Sequence, residues 1–415
     1  MRRRSRLEEH RGGERPLWKR YLLYAVLVSL SLALPAALTL RGTARIRGGA
    51  ATSAGTSRTS SGGGDDDRGR ATMREEPALV GTLAETGAVS PLTWKGIAQG
   101  IPPAPRSEYD VHLVFSTDCS AYQNYQSIML FNSAEMVDQQ GAVTRVASGC
   151  SEEEQRELQE LMNRQPERFR VHFTPDYSWD PNTGKSYMFY NKPNGMAHFL
   201  KNANPPVTEA VIALIDPDMV LMSALTPYVG NPELMLWHEE MFARGPEMVV
   251  EGNPVGQFYG LGGMWAGWKD LPEITEHLGP NTPARQVTTG EAAAAYPVGP
   301  PYMMHPHDWA RLVDLWVGLS PKVNKGHPGI LAEMYGFCIA AAHLRLRHRV
   351  AYGLMVSDSK MSQKEGWSLV EPLGTRACDA SAVNNRRASL PPIVHYCQVK
   401  RRIGSLVGVG AWRLS

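Results

Sequence analysis

Asp216 and Asp218, in the motif IDPDM, are separated by one residue and follow the apolar run VIALI. A strand alternates its side chains, so a spacing of two sends both carboxylates toward one side. Hard divalent cations such as Mn or Mg bridge one or two carboxylates to substrate phosphates, which neutralises charge on a departing nucleotide. A simple strand-to-turn junction, where Asp caps backbone donors, is the other reading of the pair. His395 lies in IVHYC, a short apolar run where a histidine serves either as a core residue or as an imidazole that Mn accepts beside carboxylates. Glu333 places a carboxylate in the apolar stretch EMYGF, where an unpaired charge is costly, so it needs a partner. It is either a capped or Arg-paired structural residue or a carboxylate facing the reacting group.

Other motifs narrow the chemistry. His305, His307 and Asp308 in MMHPHDW look metal-like, but Pro306 followed by a helical pattern predicts a helix start with Asp308 in its first turn. WHEEMF lacks the second His of a zinc protease helix, and GQFYGLGG has the wrong spacing for a dinucleotide loop, so it reads as a tight chain path. There is no Gly-x-Ser-x-Gly elbow and no phosphate-binding Gly-Lys-Ser/Thr, so hydrolase and P-loop readings lack support. Tryptophans such as Trp237, Trp265, Trp268 and Trp367 suit either core packing or stacking on sugar rings.

The elements that must carry these residues follow from periodicity. VHLVFSTDC from Val111 reads as a buried strand, followed by a helix from about Tyr122 to Val137. Strands are expected at Ala142 to Ser148, Arg170 to Pro175 and Val211 to Asp216. Helices are expected at Glu152 to Met162, Gly195 to Asn202, Pro306 to Leu319 and Gly329 to Leu344. Alternation at this spacing predicts an α/β head with a mainly parallel, doubly wound sheet and ligands at the carboxyl ends of its strands. The irregular, Pro- and Gly-rich second half is expected to cover the first and supply the acceptor side.

Composition sets the frame. The chain has 415 residues, 43% of them apolar and 20% charged, enough for a sizeable core, and its net charge of +2 with scattered basic residues argues against nucleic acid. Tyr21 to Leu40 is uncharged and as a helix would rise roughly 30 Å, one hydrocarbon core, behind an Arg-rich tail. The expected order is a cytoplasmic tail (1–20), a signal anchor (21–40), a flexible stem (41–105) and a lumenal catalytic domain (106–415). A cleaved secretory signal is the rival reading, and either one exports the head. Cys119, Cys150, Cys338, Cys378 and Cys397 fit an oxidising lumen with one or two disulfides, whose pairing the sequence leaves open.

Several segments together resemble the plant and green-algal hydroxyproline O-arabinosyltransferases and their relatives, the peptidyl serine α-galactosyltransferases. They are FSTDCSAYQNYQ, VTRVASG, NKPNGMAHFLK, IDPDMVL, YPVGPPYMM, LAEMYGF and IVHYCQV, spread from about Val111 to the end of the chain. The resemblance implies a GT-A-type fold in a type II membrane protein of the Golgi or endoplasmic reticulum. It also implies Mn (or Mg), a UDP-sugar donor, and retaining transfer to a hydroxyproline- or serine-rich protein, in which the leaving phosphate can itself deprotonate the acceptor. By that resemblance Asp216 and Asp218 hold metal and UDP, His395 completes the metal shell, and Glu333 faces the transferred sugar as a catalytic residue. Ser116, Thr117, Asp118, Arg145, Asn191 and Lys192 then surround the nucleotide, with Lys192 or Arg145 offsetting diphosphate charge. STDCSAY looks more like the arabinosyltransferases and IDPDM more like the galactosyltransferases; the expectation favours L-arabinofuranose. Cys397 and Arg401 to Arg402 depart from the pattern. A lumenal glycan-binding protein without catalysis is the competing class, against which intact Asp216, Asp218 and Glu333 argue.

Overall fold

A computed structural model describes residues 110–162, 167–180, 184–228, 236–237, 247–358, 360, 365–397, 400–403 and 406–409. The expected tail, anchor and stem lie outside these residues. Among the described residues no helix is long and apolar enough to cross a membrane.

The first half alternates as its periodicity predicts. β1 (Val111–Thr117), α1 (Ala121–Met136), β2 (Val143–Ser148), α2 (Glu152–Met162) and β3 (Phe169–Thr174) come in turn. A short hairpin, β4 (Trp179–Asp180) and β5 (Lys185–Ser186), leads to α3 (Asn191–Asn202), β6 (Val211–Ile215) and β7 (Met219–Leu221). α3 begins four residues before the expected Gly195, because Pro193 sits in the first turn, where its missing N–H has no intrahelical partner to lose. That earlier start makes Lys192 a helix N-terminal residue.

The second half supplies β8 (Leu236–Trp237), β9 (Val255–Phe258), α4 (Pro272–Leu278), α5 (Thr289–Ala295) and β10 (Val298–Met304). After them come α6 (Pro306–Gly326), α7 (Ala332–His343), β11 (Arg349–Ala351), β12 (Met355–Val356) and β13 (Ile393–His395). α6 starts as expected: the His305 side chain caps it, Pro306 takes the first position and Asp308 the first turn.

The main sheet has eight strands in the order β3-β2-β1-β6-β10-β9-β11-β8. β3, β2, β1 and β6 are all parallel, the arrangement predicted. The doubly wound, mainly parallel expectation fails beyond β6. β10 runs antiparallel to both β6 and β9, and β8 is antiparallel to β11, so the sheet is mixed around a parallel centre. β10 was not legible as a strand because Pro300 and Pro301 interrupt it, at a bulge between Gly299 and Tyr302 where the ladder is already broken.

Alternation divides the side chains between two cores. Val111, Leu113 and Phe115 pack with Leu130 and Phe131 of α1 and with Met219 and Ile393 of the small sheet β12-β13-β7. Val114, Val146, Ile212 and Leu214 face the opposite layer of α3, α6 and α7, with Trp309, Trp316 and Phe337 at its centre. Covered on both faces, the parallel strands read in sequence as continuous apolar runs.

Candidate active site

β6 ends at Ile215, and Asp216 and Asp218 occupy the tight turn into β7, closed by the Met219 N–H donating to the Asp216 carbonyl at 3.1 Å. The turn itself, more than strand alternation, groups the two carboxylates. β13 pairs antiparallel with β7 and sets His395 opposite Met219, and the Tyr396 N–H donates to the Asp218 carbonyl at 3.1 Å. His395 Nε2 lies 3.1 Å from Asp218 Oδ1. Asp216, Asp218 and His395 thus each offer a ligand atom within 4.8 Å of the other two. Two carboxylates and one imidazole suit Mn or Mg, the ions expected from the sequence.

Electrostatics tie this trio together. Burial alone would lower His395, yet its hydrogen bonds to Asp218 and Cys397 push it up to about 10. Burial would raise Asp218, but His395 and Lys192 hold it below its ordinary value. A cation held by this trio would take the place of the imidazole proton, which would link metal affinity here to pH.

Lys192 reaches into the same corner from the start of α3. Its Nζ lies 2.8 Å from Asp216 Oδ1 and 3.1 Å from Glu333 Oε1. Both carboxylates hold the ammonium charged against the penalty of burial. Lys192 is therefore the partner that Glu333 required, in place of the cap or Arg of one of the two expected readings. Glu333 sits in the first turn of α7 with 1% exposure, and burial raises its carboxyl despite Lys192. Glu333 Oε2 is buried without a hydrogen-bond partner among the described residues. An unmatched carboxylate oxygen of this kind is the group that a ligand hydroxyl would satisfy.

Tyr259, absent from the sequence expectations, completes the corner. Its hydroxyl lies 3.4 Å from His395 Nδ1. Burial, then Asp216, Cys397, Asp218 and Glu333, keep the phenol neutral, well above its ordinary value. Its ring passes where a Cβ on Gly299 would stand. The only sequence signal was that glycine, in YPVGPPYMM, and the glycines around GQFYGLGG.

The remaining expected residues divide. Thr117 and Asp118 lie at the carboxyl end of β1, and the Arg145 guanidinium is engaged in holding them. Arg145 Nε donates to Thr117 Oγ1 at 2.7 Å, and Nη2 to the Asp118 carbonyl at 2.8 Å and to Asn124 Oδ1 at 2.7 Å. The Asp118 carboxylate accepts from the Ser120 N–H at 2.8 Å, turning the chain into α1. Asn191 Oδ1 accepts from the Tyr177 N–H at 2.7 Å and so braces the loop after β3. Ser116 lies on β1 facing Gly195 of α3. A disulfide joins Cys119 to Cys150 across the ends of β1 and β2, settling the pairing the sequence left open. Burial raises the phenols of Tyr122 and Tyr396, and the nearby Asp218 charge adds to it. Trp265 is core, whereas Trp268 stacks on His327 at 4.2 Å.

No family model matches the sequence. Two curated proteins are similar to it, both named peptidyl serine alpha-galactosyltransferase. The one from Arabidopsis thaliana is 24% identical over 261 residues, covering 60% of this chain and 28% of the relative. The one from Chlamydomonas reinhardtii is 30% identical over 257 residues, covering 58% and 31%. The chain thus spans under a third of the length of these relatives. Both carry the galactosyl half of the expected resemblance, and neither bears on arabinose. Among solved structures, a galactosyltransferase, LgtC, with donor and acceptor sugar analogs superposes at a TM-score of 0.36 and 12% identity, covering 70% of this chain and 88% of that one. A bifunctional glycosyltransferase, WbbM, gives 0.37 at 11% identity, over 70% and 46%.

Proposed function

We propose that the chain is a metal-dependent glycosyltransferase with a GT-A-type head, transferring a sugar from a UDP donor to a hydroxyl of a peptide. The grouping of Asp216, Asp218 and His395 beside the Lys192–Glu333 pair carries this reading. Similarity to two peptidyl serine alpha-galactosyltransferases supports galactose and serine as donor and acceptor. STDCSAY favours the second reading, arabinose onto hydroxyproline.

In either case Asp216, Asp218 and His395 hold the ion, which supplies positive charge to the diphosphate. Lys192 and the N-terminus of α3 add positive charge on the same side. Glu333 Oε2 takes a sugar hydroxyl and fixes the donor's orientation. Tyr259 orients the His395 ring. The Cys119–Cys150 disulfide and the apolar segment 21–40 support a lumenal head anchored in a Golgi or endoplasmic reticulum membrane.

The test is UDP release by the full chain in detergent with Mn, UDP-galactose or UDP-arabinose, and Ser-rich or Hyp-rich peptides. Turnover should fall by more than ~10³-fold in an Asp216→Asn, Asp218→Asn variant. A wild-type chain that released no UDP from any common UDP-sugar would overturn the reading.

A further inference from the structure

A second group of metal-type side chains lies at the other end of the sheet. Because β10 is antiparallel to β6, with Met304 opposite Ile212, the residue after Met304 emerges where β6 begins. That point is about 17 Å along the strand from Asp216. Here Glu251, His305 and His307 each present a ligand atom within 4.8 Å of the other two.

The backbone under these side chains is fixed. In the ion-free state His305 caps α6, its Nδ1 accepting from the His307 N–H at 3.2 Å, so an ion bound to this ring takes the lone pair in place of that cap. Glu251 lies in a turn closed by the Asn253 N–H donating to the Val250 carbonyl at 3.0 Å. Buried Asp308 stitches that turn to the helix, accepting from the Gly252 N–H at 2.8 Å. His307 Nδ1 already stands 3.2 Å from Glu251 Oε2.

We propose that Glu251, His305 and His307 form a separate site for a borderline divalent ion, zinc above all, that clamps the Val250–Asn253 turn to the start of α6. The donor sets explain why the two corners would hold different ions. Two imidazoles per carboxylate select zinc, whereas two carboxylates per imidazole at Asp216 suit Mn or Mg. The site is solvent-exposed on its Glu251 and His307 side, which leaves water a fourth tetrahedral position.

The test uses the full chain in detergent, stripped with EDTA and carrying Asp216→Asn and Asp218→Asn, so that zinc cannot occupy the other corner. Calorimetric titration should show one zinc bound, with a rise in Tm. Adding His305→Asn, which keeps a capping side chain, and His307→Ala should weaken that binding by at least ~30-fold; Glu251→Gln alone should weaken it about tenfold. Circular dichroism in EDTA reports whether each variant folds. If the histidine variant fails to fold, Glu251→Gln carries the test, and an unchanged affinity there overturns the site. Equal zinc affinity with and without the two histidines, or no bound zinc in the aspartate variant, overturns it as well.

Discussion

Lys192, itself largely buried, holds two carboxylates that would otherwise repel each other, and the buried Glu333 has almost no water to fall back on. Removing one member of such a pair strands the other's charge in a poor solvent. Lys192→Met should therefore lower unfolding free energy by ~3–5 kcal/mol in urea titrations. Much of that loss should return in the Lys192→Met, Glu333→Gln double variant. Tyr259→Phe should leave the urea midpoint nearly unchanged while weakening the proposed Mn binding about tenfold, because one hydroxyl beside His395 Nδ1 is lost. The four acidic and imidazole groups of this corner were identifiable from residue type, since charge is conspicuous in apolar runs. Lys192 was identified as a charge but not as a bridge. Tyr259 was hidden, because what places it is an absent side chain on Gly299, forty residues along the chain.

Elements divide in the same way. Buried parallel strands announce themselves as apolar runs, and β1, β2, β3 and β6 lie within a residue or so of their expected bounds. β9 and β10 were missed because a bulge and two prolines erase the period-two signal. At that bulge, Gly299→Ala would set a methyl against the Tyr259 ring and Met334. Overpacking of this kind costs about 1–3 kcal/mol, so a lower Tm should accompany weaker Mn binding by calorimetry. At the opposite flank, the disulfide closes a separation of 31 residues beneath the Thr117–Asp118 loop. Cys119→Ser with Cys150→Ser should lower stability by ~3–4 kcal/mol and raise the KM for donor more than it lowers kcat.

Over the whole molecule, buried histidines contribute to the loss of stability in acid. Burial brings His348 down to about 3, and burial with the neighbouring His198 brings His172 down to about 4. Unfolded chains take up a proton at these residues near the ordinary value of 6.5, before the folded protein does. Stability is therefore full above that value and falls as pH drops toward 4 and then 3. Each group steepens the decline by up to about 1.4 kcal/mol per pH unit, less for part-exposed His172. Urea titrations from pH 7 to 4 should show this, and His348→Gln should flatten the curve.

The pairing of His395 with Asp218 spans 177 positions of the chain. Ribosomes deliver the two halves of the metal corner at well-separated moments, so a nascent polypeptide that has reached β6 still lacks its imidazole. Competence of this corner waits on the synthesis of β13, and a product of premature termination before residue 395 would lack the imidazole and remain inert.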